Sequence, residues 1–363
     1  MKRPSLPRLV SAPGSLWLAF VLVVVATASP TRAADSVVLA DGERISGSIV
    51  NLAPDVVEIE VRDGTVSKLA ISAIREVSFD GEPEYLASAR TLLGRQDNAG
   101  ALAELARIDK AEIDAAEPQI RDEYEFLKAA ATARAATAAD GPVAAQGLQA
   151  FLTAKPRSHH RFAGHEILGD LFARLGKFAE ATTAYAELDR GPPALRVRAA
   201  TIKARLLLEQ NKPAEALGAF EAAMQIATEP TDAASSLEKG DAELGIARCL
   251  ARTGKAEDGI KRTRATIRAA DPNDRSLLAK AFATLGECQR AAGGKDQDAL
   301  ISYLTVDLVY NGVPEPHAEA LYNLVQLWDA TKQPERARAA RQALLAAYPQ
   351  SPWAKKLGAG QAS

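Results

Sequence analysis

Residues 162–188, FAGHEILGDLFARLGKFAEATTAYAEL, constrain the fold more than any other part of the chain. Leu168-Gly169 is followed by Phe172, then Gly176, then Ala181 and Tyr185. Small residues at 169 and 181 let two antiparallel helices approach closely. Aromatic rings at 172 and 185 fill the gap, and Gly176-Lys177 supplies the turn. A single hairpin of this kind would be an ordinary amphipathic pair, so its weight depends on recurrence.

The pattern does recur. After Gly191-Pro192-Pro193, which cannot continue a helix, residues 197–223 repeat it with Ala204 in the place of Gly169 and with Ala216, Phe220 and Ala223 in order. Residues 241–267 give Ala247, Leu250, Gly254 and Gly259. Residues 277–306 give Leu285-Gly286, Gly293 and Tyr303, one residue out of register near Ala299. Residues 318–348 give Leu321, Leu324, Trp328, Ala337 and Leu344. Two worn pairs precede the clear copy: 85–93 with 99–108, carrying Ala101 and Leu105, and 121–139 with 143–152, carrying Gly147 and Phe151. Seven hairpins are predicted. The segment 228–237, TEPTDAASSL, breaks the period and reads as a surface loop.

The order Leu-Gly, aromatic, turn glycine, alanine, aromatic, returning near the family's period of about 34 residues, resembles the tetratricopeptide repeat. The connector Phe151-Leu152 with Lys155-Pro156 and Ser158 is similar to the F-L-x-x-Y-P-x-S connectors of bacterial envelope tetratricopeptide proteins. The resemblance implies a mainly α fold: a right-handed superhelical array of antiparallel hairpins over residues 83–357, clearest at 162–223 and 318–348. A flexible tail is expected at 358–363.

Ahead of the array, residues 34–82 alternate β-branched and polar residues, with turns at Asp41-Gly42, Pro54-Asp55 and Asp63-Gly64. Strands are predicted near 37–39, 44–52, 56–62, 65–70 and 76–79, with 71–74 as a turn, which suits a small five-stranded β-barrel. The succession Leu39, Asp41, Gly42, Ile45, Gly47 and Ile49 resembles the start of Sm-like and SH3-like barrels, and Gly47 is expected to permit a bend in the long second strand. RNA binding is not carried over from that resemblance. Phe79 is the only aromatic residue in the segment, and Arg44, Arg62, Lys68 and Arg75 are scattered. So small a unit buries little surface alone and is expected to pack on the helices or on a second copy.

Residues 1–33 run from a charged start through an apolar stretch at 16–28 to Ser29-Pro30-Thr31-Arg32-Ala33, the order of a secretory signal peptide, with cleavage expected after Ala33. The apolar stretch is shorter than the roughly 20 residues that span a bilayer, so no stable membrane span is expected once the signal is removed. A periplasmic or secreted protein is anticipated. The formal charge of −2 includes four basic residues of the leader, Lys2, Arg3, Arg8 and Arg32. The remainder is therefore more acidic, and nucleic acid is not an expected partner.

The resemblance places function on the concave wall formed by the first helix of each pair, where an extended peptide or partner helix lies. Threading the pattern puts Glu166, Asp170, Arg174, Arg205, Arg248, Arg252, Arg290, Tyr322 and Gln326 on that wall. The arginines suit carboxylates of a ligand; the competing reading is that they are solvated charges paired with acids one helical turn away. The function anticipated is an exported scaffold that binds a protein or peptide partner in the cell envelope. The alternative is a structural envelope component that self-associates through the barrel, with the repeats as spacer. No nucleophile with a base, phosphate loop or paired-carboxylate site is seen, so no enzyme and no cofactor are expected. Cys249 and Cys288, at equivalent places in successive repeats, read as two small buried thiols, with a disulfide as the alternative. His159, His160 and His165 invite a metal reading, but adjacent histidines normally point apart and no further ligand is evident, so no metal site is assigned.

Overall fold

The computed structural model describes residues 34–229, 232–349 and 351–359; the leader expected at 1–33 lies outside them. Five antiparallel strands come first: β1 (Asp35–Leu39), β2 (Arg44–Leu52), β3 (Val56–Glu60), β4 (Val66–Ala70) and β5 (Ile74–Ser78), in the order β4-β3-β2-β1-β5. β2 serves two neighbours. Its first half pairs with β1 and its second half with β3, with a shift of register between Ile49 and Asn51. Gly47 sits at the change of partner, where a Cβ would lie 2.1 Å from the backbone oxygen of Glu60. The bend expected there therefore has a steric cause. The ladder ends at β4 and β5, joined by a 3₁₀ turn at Ile71–Ala73. Its hydrogen bonding is that of a five-stranded antiparallel sheet, with the number of strands expected.

Val37, Val57 and Ile59 are sealed within the sheet. Val77 and Phe79 instead join Leu86, Ala89 and Leu93 in the main helical core, and Ile71 packs against Phe162, Leu188, Leu195 and Ala199. The sheet is thus docked on the helices, as its small size requires.

The helices pair as α1 (Glu84–Gly94) with α2 (Asn98–Leu105); after the short α3 (Lys110–Ala115), α4 (Pro118–Ala135) with α5 (Gly141–Ala154); and α6 (Arg161–Arg174) with α7 (Phe178–Ala186). Then come α8 (Pro193–Glu209) with α9 (Pro213–Met224), α10 (Ala233–Arg252) with α11 (Ala256–Ala269), α12 (Arg275–Ala292) with α13 (Asp296–Val309), and α14 (Pro314–Ala330) with α15 (Pro334–Ala347). A single helix, α16 (Pro352–Ala359), closes the array. Proline in the first turn of α4, α5, α8, α9, α14 and α15 starts each helix without losing an intrahelical bond.

The small-against-aromatic rule drives the packing. A Cβ on Gly169 would meet Tyr185 at 2.3 Å, one on Gly245 would meet Phe220 at 2.3 Å, and one on Gly286 would meet Tyr303 at 2.7 Å. Ala299 and Tyr303 are both fully buried, so the pair that reads as out of register in the sequence is in register in space. Six of the seven hairpin turns, all but that between α4 and α5, use a left-handed residue, which is glycine at 176, 254 and 293 and Gln96, Asn211 and Lys332 in the others.

Two expectations need correction. Half of the predicted loop at 228–237, residues 233–237, belongs to α10, because Asp232 caps it by accepting from the Ser235 amide. α16, which buries Ala354 and Leu357 against the last hairpin, also takes in residues 358 and 359 of the expected tail. Residues 360–363 of the expected tail lie outside the described residues.

Candidate functional site

The first helices α4, α6, α8, α10, α12 and α14 follow one another along the array: α4 packs on α6, and α8, α10, α12 and α14 each pack on the next, while α6 and α8 are joined by an ion pair. Their free face carries charges of both signs. Arg198 of α8 bridges Glu166 of α6 at 3.2 Å and Glu238 of α10 at 3.8 Å. Asp241 of α10 holds Arg205 at 2.9 Å and Lys280 of α12 at 2.7 Å. Arg248 meets Glu287 at 3.1 Å, Thr284 at 3.1 Å and, past α12, Glu319 of α14 at 2.8 Å. Arg252 shares Glu287 at 2.9 Å, and Arg290 donates to Asn323. Partners lie 35 or 36 residues apart for Arg205, Arg252 and the Arg248–Thr284 contact, and 71 apart for Arg248–Glu319. The rungs therefore join one repeat to the next, and the ion pairs one turn away on the same helix that the sequence suggested are not what holds these arginines.

Among the nine residues placed on the wall from sequence, Glu166, Arg205, Arg248, Arg252 and Arg290 belong to this ladder. Asp170 accepts from the Tyr185 hydroxyl at 2.7 Å, and Arg174 donates to the Ala133 carbonyl at 2.7 Å. Tyr322 stands apart, its ring 5.3 Å from that of Trp353 in the cap, and half-buried Gln326 lies one turn further along α14. The ladder also needs Arg198, Glu238, Asp241, Lys280, Glu287, Glu319 and Asn323, which a reading of single helices misses. The signal for them is a charge recurring at the repeat spacing rather than at the helical one.

Compensation along the wall is uneven. Burial raises the carboxyls of Glu166, Asp170 and Glu238 above their ordinary range, and like charge adds to it for Glu166, from Asp170, and for Glu238, from Asp241 and Glu166. Burial also raises Glu319 despite Arg248. For Asp241 burial works the same way, but Lys280 and Arg205 outweigh it and hold the group low. The side chains of Arg205 and Arg252 remain 46% and 39% exposed, against 22% for Arg248.

A second polar cluster lies where the sheet meets the array. Arg90 of α1 donates to Glu82 at 2.8 and 2.7 Å and to Glu123 of α4 at 2.8 Å. The other Glu123 oxygen stands 2.6 Å from His160 Nε2 and 3.7 Å from His159 Nε2. The two imidazole rings pack together at 3.7 Å, which corrects the expectation that they diverge. His160 caps α6 with helical backbone angles, φ −82° and ψ −1°, and this tight turn brings the rings to one side. His165 is not part of the cluster; burial lowers its imidazole, with Glu187, Arg161 and Arg190 as its charged neighbours. Cys249 and Cys288 are buried free thiols, raised by burial to about 11 and about 12.

The sequence matches no protein-family model and no curated protein. Solved structures do resemble it. A tetratricopeptide repeat protein from Parabacteroides merdae ATCC 43184 is 16% identical with a TM-score of 0.50, the match covering 76% of this chain and 96% of that one. The apo form of the quorum sensor NprR from B. thuringiensis is 12% identical with a TM-score of 0.46, covering 72% and 85%. PilW, a type IV pilus biogenesis factor, is 17% identical with a TM-score of 0.42, covering 67% and 99%. The first likeness, with the hairpins described above, shows a tetratricopeptide-type helical array. Among the described residues no helix is long and apolar enough to cross a membrane.

Proposed function

We propose that the protein is an exported scaffold that binds a polar, extended segment of a partner protein along the first-helix wall. One observation carries this reading: three first helices of the wall, α6, α10 and α14, present carboxylates that burial holds raised despite the neighbouring arginines, on a face where apolar packing would be at least as stable. Charge kept at such a cost is accounted for by a partner that completes it, with donors for Glu166, Asp170 and Glu238 and carboxylates for the half-exposed Arg205 and Arg252. The expected test uses Arg205→Glu combined with Arg252→Glu, since both side chains are accessible and neither anchors the fold. Partner recovery from envelope extract should fall while the helical circular dichroism stays unchanged. Recovery equal to wild type removes the groove reading.

Export is supported by the order of charged, apolar and small residues over 1–33. N-terminal sequencing of the protein from cells should begin at Ala34; a start at Met1 refutes cleavage there. The alternative, self-association through the sheet, draws on one observation. β4 is an edge strand whose Val66 is 45% exposed, and Val50 of β2 is 51% exposed. Light scattering that gives a monomer at all concentrations removes it.

A further inference from the structure

We propose that Glu123, His159 and His160 form a binding site for one first-row divalent cation, of which Zn²⁺ is the representative, at the junction of the sheet and the helical array. Each of the three offers one ligand atom, and these atoms all lie within 4.8 Å of one another. Two imidazole nitrogens with one carboxylate oxygen form a donor set that suits borderline ions such as Zn²⁺ rather than Ca²⁺ or Mg²⁺, which prefer oxygen throughout.

The second, independent observation is an orphan. His159 is 6% exposed, yet its Nε2 has no hydrogen-bond partner. A buried polar nitrogen left unpaired forfeits the hydrogen bond it made to water in the unfolded chain, and this one is aimed at Glu123 Oε2 from 3.7 Å, too far for a hydrogen bond. A bound cation satisfies that nitrogen and the carboxylate together. Two ligands on one tetrahedral Zn²⁺, each about 2.0–2.1 Å from it, stand roughly 3.3 Å apart. The His159–Glu123 separation is already close to that. The His160–Glu123 contact at 2.6 Å has to open by roughly 0.7 Å on the same geometry.

The surroundings fit ligands rather than a loose polar pocket. Phe126 stacks on His160 at 3.7 Å, and Phe79 meets His159 edge-on at 6.5 Å, so both rings are held in place. Arg90 orients the carboxylate through the oxygen that faces away from the histidines, as an outer-shell partner does. Glu82 offsets the Arg90 charge through two contacts, so the carboxylate of Glu123 remains to attract the ion. His160 is the most exposed of the three, with 15% of its side chain open, and marks the side where water would complete the coordination. The ligands come from α4 and the α5–α6 connector, and Phe79 and Arg90 bring in the end of β5 and α1. The ion would therefore clamp the sheet to the array.

The experiment takes the purified full chain, stripped with EDTA and titrated with Co²⁺ and then Zn²⁺. The expected result is a visible Co²⁺ absorption band that saturates at one equivalent and is bleached by Zn²⁺, together with a rise in melting temperature. Glu123→Gln and His159→Phe should each weaken Zn²⁺ binding at least tenfold, and His165→Phe should leave it unchanged. Absence of a saturable Co²⁺ band in the wild-type chain overturns the proposal without any variant having to fold. Equal affinity in wild type and Glu123→Gln overturns it as well, since the three groups would then be only a buried hydrogen-bonded cluster.

Discussion

Two charged clusters built from the same residue types have opposite characters. At the junction, Arg90, Glu82, Glu123 and the histidine pair are largely buried and drawn from separate parts of the sequence. On the wall, Arg198, Arg205, Arg248 and Arg252 repeat one arrangement from helix to helix, with one side left open. Buried charges have mainly each other, so losing one strands the rest. Half-open charges have water as a substitute and are available to a ligand. Exposure, rather than the number of ion pairs, separates the architectural cluster from the receptive one.

The largest effect is expected from Glu123→Ala measured in EDTA. It leaves Arg90 and His160 without their shared carboxylate and should cost about 3–5 kcal/mol in urea unfolding. A loss under about 1 kcal/mol would erase the contrast, because it would place the junction among surface pairs. Arg248→Ala tests the most enclosed rung of the wall. Glu319 then loses its charged donor, for about 2 kcal/mol by the same unfolding assay.

The pH dependence comes next. Glu166, Asp170, Glu238 and Glu319 are raised in the folded state. Their contribution is fully present below the unfolded carboxylate values and is lost as pH rises through the folded ones. Asp241 is lowered, so its contribution is lost only as pH falls below the ordinary Asp value. Burial lowers the imidazoles of His159 and His165, which works the opposite way as pH falls from 7 to 5, so the wall is read by difference: over that interval Glu166→Gln with Asp170→Asn should gain less, or lose more, unfolding free energy than the wild type. An equal change in the two proteins would mean that the wall is better compensated than its geometry implies. Smallest of all is Arg205→Ala, since Asp241 keeps Lys280; less than about 1 kcal/mol is expected by thermal melting.

The helical array was legible because its packing uses residues that are conspicuous in a sequence. Gly169 under Tyr185 and Gly286 under Tyr303 leave a spacing that survives repeat degeneration. Three turns were less evident because Gln96, Asn211 and Lys332 hold the left-handed conformation that glycine usually marks. The start of α10 was hidden because Ser and Asp serve loops and caps alike, and only the Asp232–Ser235 bond decides between them. The sheet was legible as five strands, but alternation says nothing about whether the first and last edges join. The wall was half legible: the pattern identifies which helix faces inward, but the partner of Arg205 is 36 residues away, beyond any rule written for one helix. The junction needed three dimensions outright. Glu123 and His160 are 37 residues apart and meet only because α5 folds back on α4.

The reach of Arg248 to Glu319 has a further consequence. Stability in stacked repeats is commonly described as a sum of each unit and its immediate neighbours. A guanidinium that crosses α12 to tie α10 to α14 adds a next-nearest-neighbour term, so the last three hairpins cannot peel away one at a time. Under load or denaturant, the C-terminal half should open as a single block.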